Sequence, residues 1–380
     1  ISRIALDIAE LNIVFLSKGN KKRPTPGMYH AAYNQLATRF ESKGQFKEVV
    51  AARQKALQYA LLISKNSKFP NHPMLGSSHN NLSVAYNKVC DFSKALNSAR
   101  QGEKIYRSLA QHQPDAYRAD WATSLSNLAN HLSDLGHYND ALSRAQRAEQ
   151  IYRDLAQSQP DAYRGDWARS LSNLANHLSD LGHYNDALSR AQQAEQIYRD
   201  LAQSQPDAHQ EAYANSMGNL AEALLKSGQA GRALSLTSRA IQLYEVLETR
   251  YPDKYTDQQG WCRRVLAESL LENNESHQAL LDARQAEAAW QTIYHNRPDY
   301  AAREYGKTLE ILARCQHTTE GLTAAMDTLR IAVQLIGPHF EKQPARLRSV
   351  MQQIIDSMRR LTPDAITDKI PEHILKLLDS

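Results

Sequence analysis

The chain has 380 residues, 42% of them hydrophobic and 23% charged, a balance that suits a folded, water-soluble protein and neither a membrane protein nor a disordered one. Its 45 basic and 41 acidic residues are interspersed and leave a net charge of +4, which is far short of a nucleic-acid footprint. Three cysteines, Cys90, Cys262 and Cys315, stand too far apart for a CxxC zinc or redox motif, and their odd number argues against a complete disulfide framework, so reduced, buried thiols in a cytoplasm are expected.

Residues 1–19 are expected to form an N-terminal helix. The longest unbroken apolar run there, residues 13–16, is too short to span a membrane, and no small-residue cleavage site follows it. The string SKGNKKRPTPG then reads as a linker carrying Lys21, Lys22 and Arg23, so residues 1–26 precede the repeats. Removal of an initiator methionine would not normally expose Ile1, and the chain is expected to be a piece of a larger protein, any catalytic part of which would lie outside it.

From residue 27 the chain repeats itself. Pro-Asp recurs at Pro114, Pro160, Pro206, Pro252 and Pro298, every 46 residues, and the units 116–161 and 162–207 are almost the same string. Up to Gln159 and Gln205 they differ only at Ala119/Gly165, Thr123/Arg169 and Arg147/Gln193. Within a unit, Trp121, Leu125, Leu128, Ala129, Leu132 and Leu135 fall at helical spacing on one apolar stripe, and Gly136 supplies the left-handed residue that ends a helix. Tyr138 opens a second helix with Ala141, Leu142, Ala145, Ala148, Ile151 and Leu155, which Pro160 is expected to close. The small alanines allow close antiparallel crossing, so the unit is a helical hairpin.

Leu125, Leu128, Ala129, Leu132, Gly136, Tyr138, Ala141, Ala145 and Ala148 resemble the signature of the tetratricopeptide repeat family. Steps of 46 recover the pattern from Leu36 to Ala332, giving seven units over 27–343, with Cys90 and Asn274 where the turn glycine would stand. The family's usual unit is shorter, and the extra residues here are expected to lengthen both helices. The resemblance implies an all-α fold, a right-handed superhelical solenoid of antiparallel hairpins, because a single hairpin cannot bury its apolar faces and must stack. Residues 344–380 should close it, with capping helices at 345–361 and 371–378.

With Leu125 at zero and 100° per residue, Thr123, Asn127, Asn130 and Asp134 point away from the stripe, at roughly 140–200°. By resemblance, first helices line the concave side, so this face is the expected binding groove. Its rows, stepped by 46, include Ser77, Asn81 and Val84; Thr123, Asn127 and Asn130; Arg169, Asn173 and Asn176; Asn215, Asn219 and Glu222; Trp261, Val265 and Glu268; and Lys307, Ile311 and Arg314. One column is asparagine four times running. Its amides either hold the backbone of an extended ligand or satisfy hydrogen bonds between repeats. Trp261, Val265 and Ile311 are either interface anchors or core. Lys21 to Arg23, with Arg346, Arg348, Arg359 and Arg360, either attract phosphate or are ordinary solvated faces.

No phosphate loop, zinc helix, nucleophile elbow or dinucleotide fingerprint is present, so no catalytic residue, metal or cofactor is expected. His131, His137, His177 and His183 recur only because the unit does. The expected function is recognition of a protein or peptide, with neither a membrane nor a nucleic acid as partner. The units, with PDAY between them, also resemble the sensor arrays of bacterial STAND NTPases and CHAT peptidases. That resemblance implies a cytoplasmic, ligand-sensing region of an antiphage defence protein and a phage protein as ligand. Two other readings stay open: a free-standing receptor for a signalling peptide, and a scaffold for assembling a complex.

Overall fold

The computed structural model describes residues 25–66, 72–362 and 370–379. The expected N-terminal helix and the linker with Lys21, Lys22 and Arg23 lie outside the described residues. Among those residues there is no strand and there are sixteen helices: α1 (Pro26–Glu41), α2 (Phe46–Lys65), α3 (Pro73–Lys88), α4 (Phe92–His112), α5 (Pro114–Asp134), α6 (Tyr138–Ser158), α7 (Pro160–Asp180), α8 (Tyr184–Ser204), α9 (Pro206–Lys226), α10 (Ala230–Arg250), α11 (Thr256–Glu272), α12 (Ser276–Asn296), α13 (Pro298–Thr319), α14 (Leu322–Lys342), α15 (Pro344–Leu361) and α16 (Glu372–Asp379). The first fourteen pack as consecutive hairpins, each odd-numbered helix against the next.

The hairpin turn is one motif made repeatedly. At Gly136, φ is 79°, its N–H donates to Ser133 O at 2.9 Å, and the His137 N–H reaches back to Leu132 O at 2.9 Å, which satisfies two carbonyls that the end of α5 would leave open. Cys90 and Asn274, the two departures from glycine, take the same left-handed conformation at φ 60° and 64°. Their turns close in the same way, with Asp91 N to Tyr86 O and Glu275 N to Leu270 O both at 2.9 Å. The seventh turn is displaced by one residue: α13 runs to 22 residues where α5, α7 and α9 have 21, and Gly321 rather than residue 320 turns the chain.

Between hairpins the proline works differently from the expectation. It does not close a second helix; it is the first residue of the next first helix, where its missing N–H costs nothing. The residue before it is forced out of the helical region. Gln113, Gln159, Gln205, Arg297 and Gln343 accordingly share one conformation, with φ between −138° and −144° and ψ between 58° and 74°. Each is the single non-helical residue of its junction. The junction after α10 differs: residues 251–255 form a loop and α11 starts late, at Thr256.

The chain forms two compact units, Ile1–Ser158 and Gln159–Ser380. In the first, Ala37, Ala52, Ala56, Ala95, Ala129, Ala141, Ala145 and Ala148 are buried, and the loss of side-chain volume at these sites is what lets the helices approach closely. In the second, the same role falls to Ala175, Ala187, Ala221, Ala233, Ala267 and Ala283. The largest core cluster lies at its end, where α15 lays Leu347, Val350, Met351, Ile354, Ile355 and Met358 against Leu329, Ile336 and Phe340 of α14, and Ile374 of α16 joins them. A Cβ on Gly306 would collide with Val350, so the small residue on α13 seats α15 closely.

Candidate ligand-binding face

The face opposite the hairpin interior is made by α1, α3 and α5 in the first unit. Neighbouring first helices are stitched by polar contacts: His30 Nε2 lies 2.9 Å from Ser78 Oγ, Asn80 donates to Ser124 Oγ at 2.8 Å, and Asn87 donates to Asp134 Oδ2 at 2.6 Å. These residues lie beside the asparagine column, not in it. Asn81 and Asn130 are exposed and Asn127 is half-buried, and none of the three side chains makes a hydrogen bond among the described residues. Thr123 is engaged within its own hairpin, with its hydroxyl 2.5 Å from that of Tyr152.

In the second unit the corresponding face belongs to α7, α9, α11 and α13. Asn173 and Asn219 are half-buried and Asn176 is exposed, again without a hydrogen bond among the described residues. Asn215 accepts from the Tyr244 hydroxyl at 2.7 Å, and Arg169 is paired with Asp166 at 2.6 Å. The column then changes character. Val265 and Ile311 stand where steps of 46 from Asn219 lead, and both are buried, Val265 with Leu220 and Leu224, Ile311 with Leu270 and Leu280. Of the two readings open for them, the structure takes core. The column therefore runs along the seam between successive first helices, a place that accepts either an amide or an aliphatic side chain.

Trp261 is half-buried and packs against the neighbouring cores, its indole stacked over Gly218, where a Cβ would collide with the ring. Its Nε1–H donates to Glu222 at 3.0 Å. It is a packed residue with a satisfied donor, not a projecting anchor.

Around it lies a feature that steps of 46 did not announce. Arg264, with 4% of its side chain exposed, sits 3.4 Å from Glu222 on α9, 3.7 Å from Glu268 on its own helix and 3.4 Å from Glu304 on α13. Lys307 pairs with Glu304 at 2.9 Å, and Arg314 bridges Glu268 at 3.5 Å and Glu272 at 2.6 Å. Arg303 reaches Asp180 on α7 at 3.9 Å. Burial opposes ionisation of Glu304, but Lys307, Arg264 and Arg303 outweigh it and hold the carboxyl at about 2. Glu222 is likewise pushed up by burial and pulled well below the usual carboxylate range by Lys226, Arg264 and Lys307. Burial, joined by Arg303 and Arg264, lowers the Lys307 ammonium despite Glu304 and Glu222. A signal did exist in the sequence: Arg264 falls in the column of Ser126, Ser172 and Gly218, where a large charged side chain has no room unless carboxylates converge on it.

The basic residues near the end of the chain each have partners within it, although Arg359 and Arg360 stay largely exposed. Arg346 donates to the Asp299 carbonyl, Arg348 to that of Leu378, Arg359 pairs with Asp356, and Arg360 meets Ser357 and Glu310. Cys262 and Cys315 are buried free thiols whose pKa burial pushes up to about 12. No described helix is long and apolar enough to cross a membrane, and no three metal-ligating side chains converge among the described residues.

Two stretches, residues 121–159 and 167–207, match the family model for the tetratricopeptide repeat. Solved structures of similar fold include the Rap conjugation gene regulator of plasmid pLS20 in complex with the Phr* peptide, with 14% identity, TM-score 0.58, and 84% of this chain and 76% of that one covered. Those two stretches are tetratricopeptide repeats, and the described helices together have the fold of a tetratricopeptide-repeat solenoid. The apo quorum sensor NprR from B. thuringiensis has the same fold, at 15% identity and TM-score 0.51 over 88% of this array and 87% of that chain. So does a STAND protein with a tetratricopeptide repeat sensor from Pyrococcus horikoshii, at 15% identity and TM-score 0.50; 93% of the array is covered and it spans 50% of that chain. Among curated proteins none matches the array.

Proposed function

We propose that the array is the ligand-sensing part of a larger signalling protein and that its first-helix faces take an extended peptide or a segment of a protein. The observation that carries this is the set of amides at Asn81, Asn127, Asn173 and Asn219: each lies at the surface or half-buried with no hydrogen bond to the described residues, while the polar groups beside them are paired across helices. An amide offers donors and an acceptor, and so matches a peptide backbone whatever its side chains. Asn130 and Asn176 extend the surface; Thr123, Arg169, Asn215, Trp261, Glu268, Lys307 and Arg314, already engaged within the array, shape its edges. The peptide-bound Rap regulator and the STAND sensor support a sensing role for this fold. On the narrower reading the array belongs to a cytoplasmic bacterial STAND or CHAT antiphage defence protein, the trigger is a phage protein, and any catalysis lies in another domain.

The test uses a displayed library of random extended peptides. Binders selected on the array should lose affinity for the Asn173→Ala/Asn219→Ala variant by about 1–3 kcal/mol per amide removed, since a desolvated ligand group is left unpaired. Melting is measured on the same protein. A lowered melting temperature with unchanged affinity assigns the asparagines to the scaffold and refutes the proposal.

A second reading, a free-standing receptor for a signalling peptide, draws on the Rap and NprR likenesses. The reading frame upstream of Ile1 decides between them: an NTPase or peptidase domain there favours the first.

A further inference from the structure

We propose that the first-helix face of the second unit is closed by an ionic latch between Asp180 on α7 and Arg303 on α13, and that a ligand lying on α7 and α9 must part it. This rests on the reading of Asn173 and Asn219 as ligand-holding groups. Asp180 and Arg303 belong to first helices three hairpins apart, yet Arg303 Nη2 stands 3.9 Å from Asp180 Oδ1. The long Arg303 side chain thus reaches across the face that α9 and α11 line to meet Asp180. Asp180 follows Asn176 by four residues on α7, and residues at that spacing share a helix face, so whatever lies along Asn173 and Asn176 runs into the bridge.

The rest of the network suits a contact made to open. Arg303 precedes Glu304, which shares Arg264 with Glu222, so the latch is continuous with a lattice joining α9, α11 and α13. The bridges that Arg264 and Arg303 make across helices, 3.4 to 3.9 Å, exceed the 2.7–2.9 Å of well-made charge-assisted hydrogen bonds. The buried Nε of Arg264 and Oε2 of Glu304 have no hydrogen-bond partner among the described residues. The closed arrangement holds its charges without satisfying all of them. Asp180 and Arg303 keep 23% and 32% of their side chains exposed, and a pair that wet is weak and screened by salt.

Two readouts test the latch. Nitroxides are placed on the exposed Tyr184 and His295, in a Cys90→Gly background that leaves only the buried Cys262 and Cys315, and their separation is read by pulsed electron resonance without any ligand. Arg303→Gln should lengthen or broaden the distance, and the charge-reversed pair Asp180→Arg/Arg303→Asp should restore it; a distance unchanged by Arg303→Gln overturns the latch. For peptides selected on the wild-type array, Asp180→Asn and Arg303→Gln should each raise affinity by about two- to fivefold, the scale of an exposed ion pair, and the reversed pair should return it. Opposite effects of the two single changes would make Asp180 a ligand contact and overturn the latch. Failure to select any peptide counts against the asparagine reading alone, because the spin-label distance still decides the latch.

Discussion

His131 lies on α5 with 4% of its surface exposed, its ring near Asn87 and Asp134. Burial pulls its pKa down to about 4, and the nearby Asp134 only partly opposes this. In the unfolded chain the same ring titrates near 6.5. Between those two values the unfolded state binds a proton that the folded state refuses, so stability falls as pH drops from about 6.5 towards 4 and levels off below. The lost stability is about 3 kcal/mol. Urea titrations of the wild type and His131→Gln at pH 7, 5.5 and 4.5 measure it: the difference between the two should shrink with acidity, and a constant difference refutes the assignment. Arg264 makes an opposite kind of demand. Replacing it with Met strands Glu222 and Glu304, which keep about a quarter of their side chains exposed, so we expect a loss of about 2 kcal/mol, below the 3–5 kcal/mol of fully buried pairs. An unchanged denaturation midpoint would show that the carboxylates find solvent as readily as they found Arg264.

At the scale of elements, the turn positions give a paired experiment. Gly136→Ala puts a side chain into a left-handed residue and should cost about 1 kcal/mol, while Cys90→Gly relieves the same strain and should gain a similar amount. Matching signs for the two would mean that the turns are not equivalent. Those turns were readable in the sequence because an end glycine is a backbone requirement that no packing overrides, and Asn274 kept the requirement in another residue type. The seventh falls out of the 46-residue step for a local reason: α13 takes one more residue, and Gly321, one step along, turns the chain. The groove was harder to read. Steps of 46 put Val265 and Ile311 on a wet face, whereas angular position on one helix says nothing about how near the next helix lies, and along this seam the neighbour covers them. Arg264 was missed because Glu222 and Glu304, its partners on α9 and α13, lie about 40 residues to either side in the sequence, beyond any spacing rule within a helix.

For the whole molecule, the repetition itself can be tested. Deleting residues 116–161 joins Asp115 to Ala162 and rebuilds the string PDAYRGDW at the join, so the shortened chain should remain helical and soluble, with a lower melting temperature because one hairpin and its stacking are gone. Aggregation on purification would show that the hairpins are not modular. The end of the second unit should be less forgiving. Ile354→Ala on α15 empties a fully buried site in the largest core cluster and should cost about 2–5 kcal/mol, read by calorimetry.

The junctions between hairpins carry a mechanical consequence. Inside the second unit three of them, at Gln205, Arg297 and Gln343, are a single residue in nearly one conformation, so a pull along that unit meets the same stiff joint again and again. The loop 251–255, with its Asp253 at φ 61°, breaks that uniformity, and an extensible segment in series with rigid ones takes up strain first. Held by its ends in an optical trap, the second unit should yield between α10 and α11 before any one-residue junction gives way. Shortening the loop to a single residue ahead of Pro252 would move the first rupture elsewhere and raise its force.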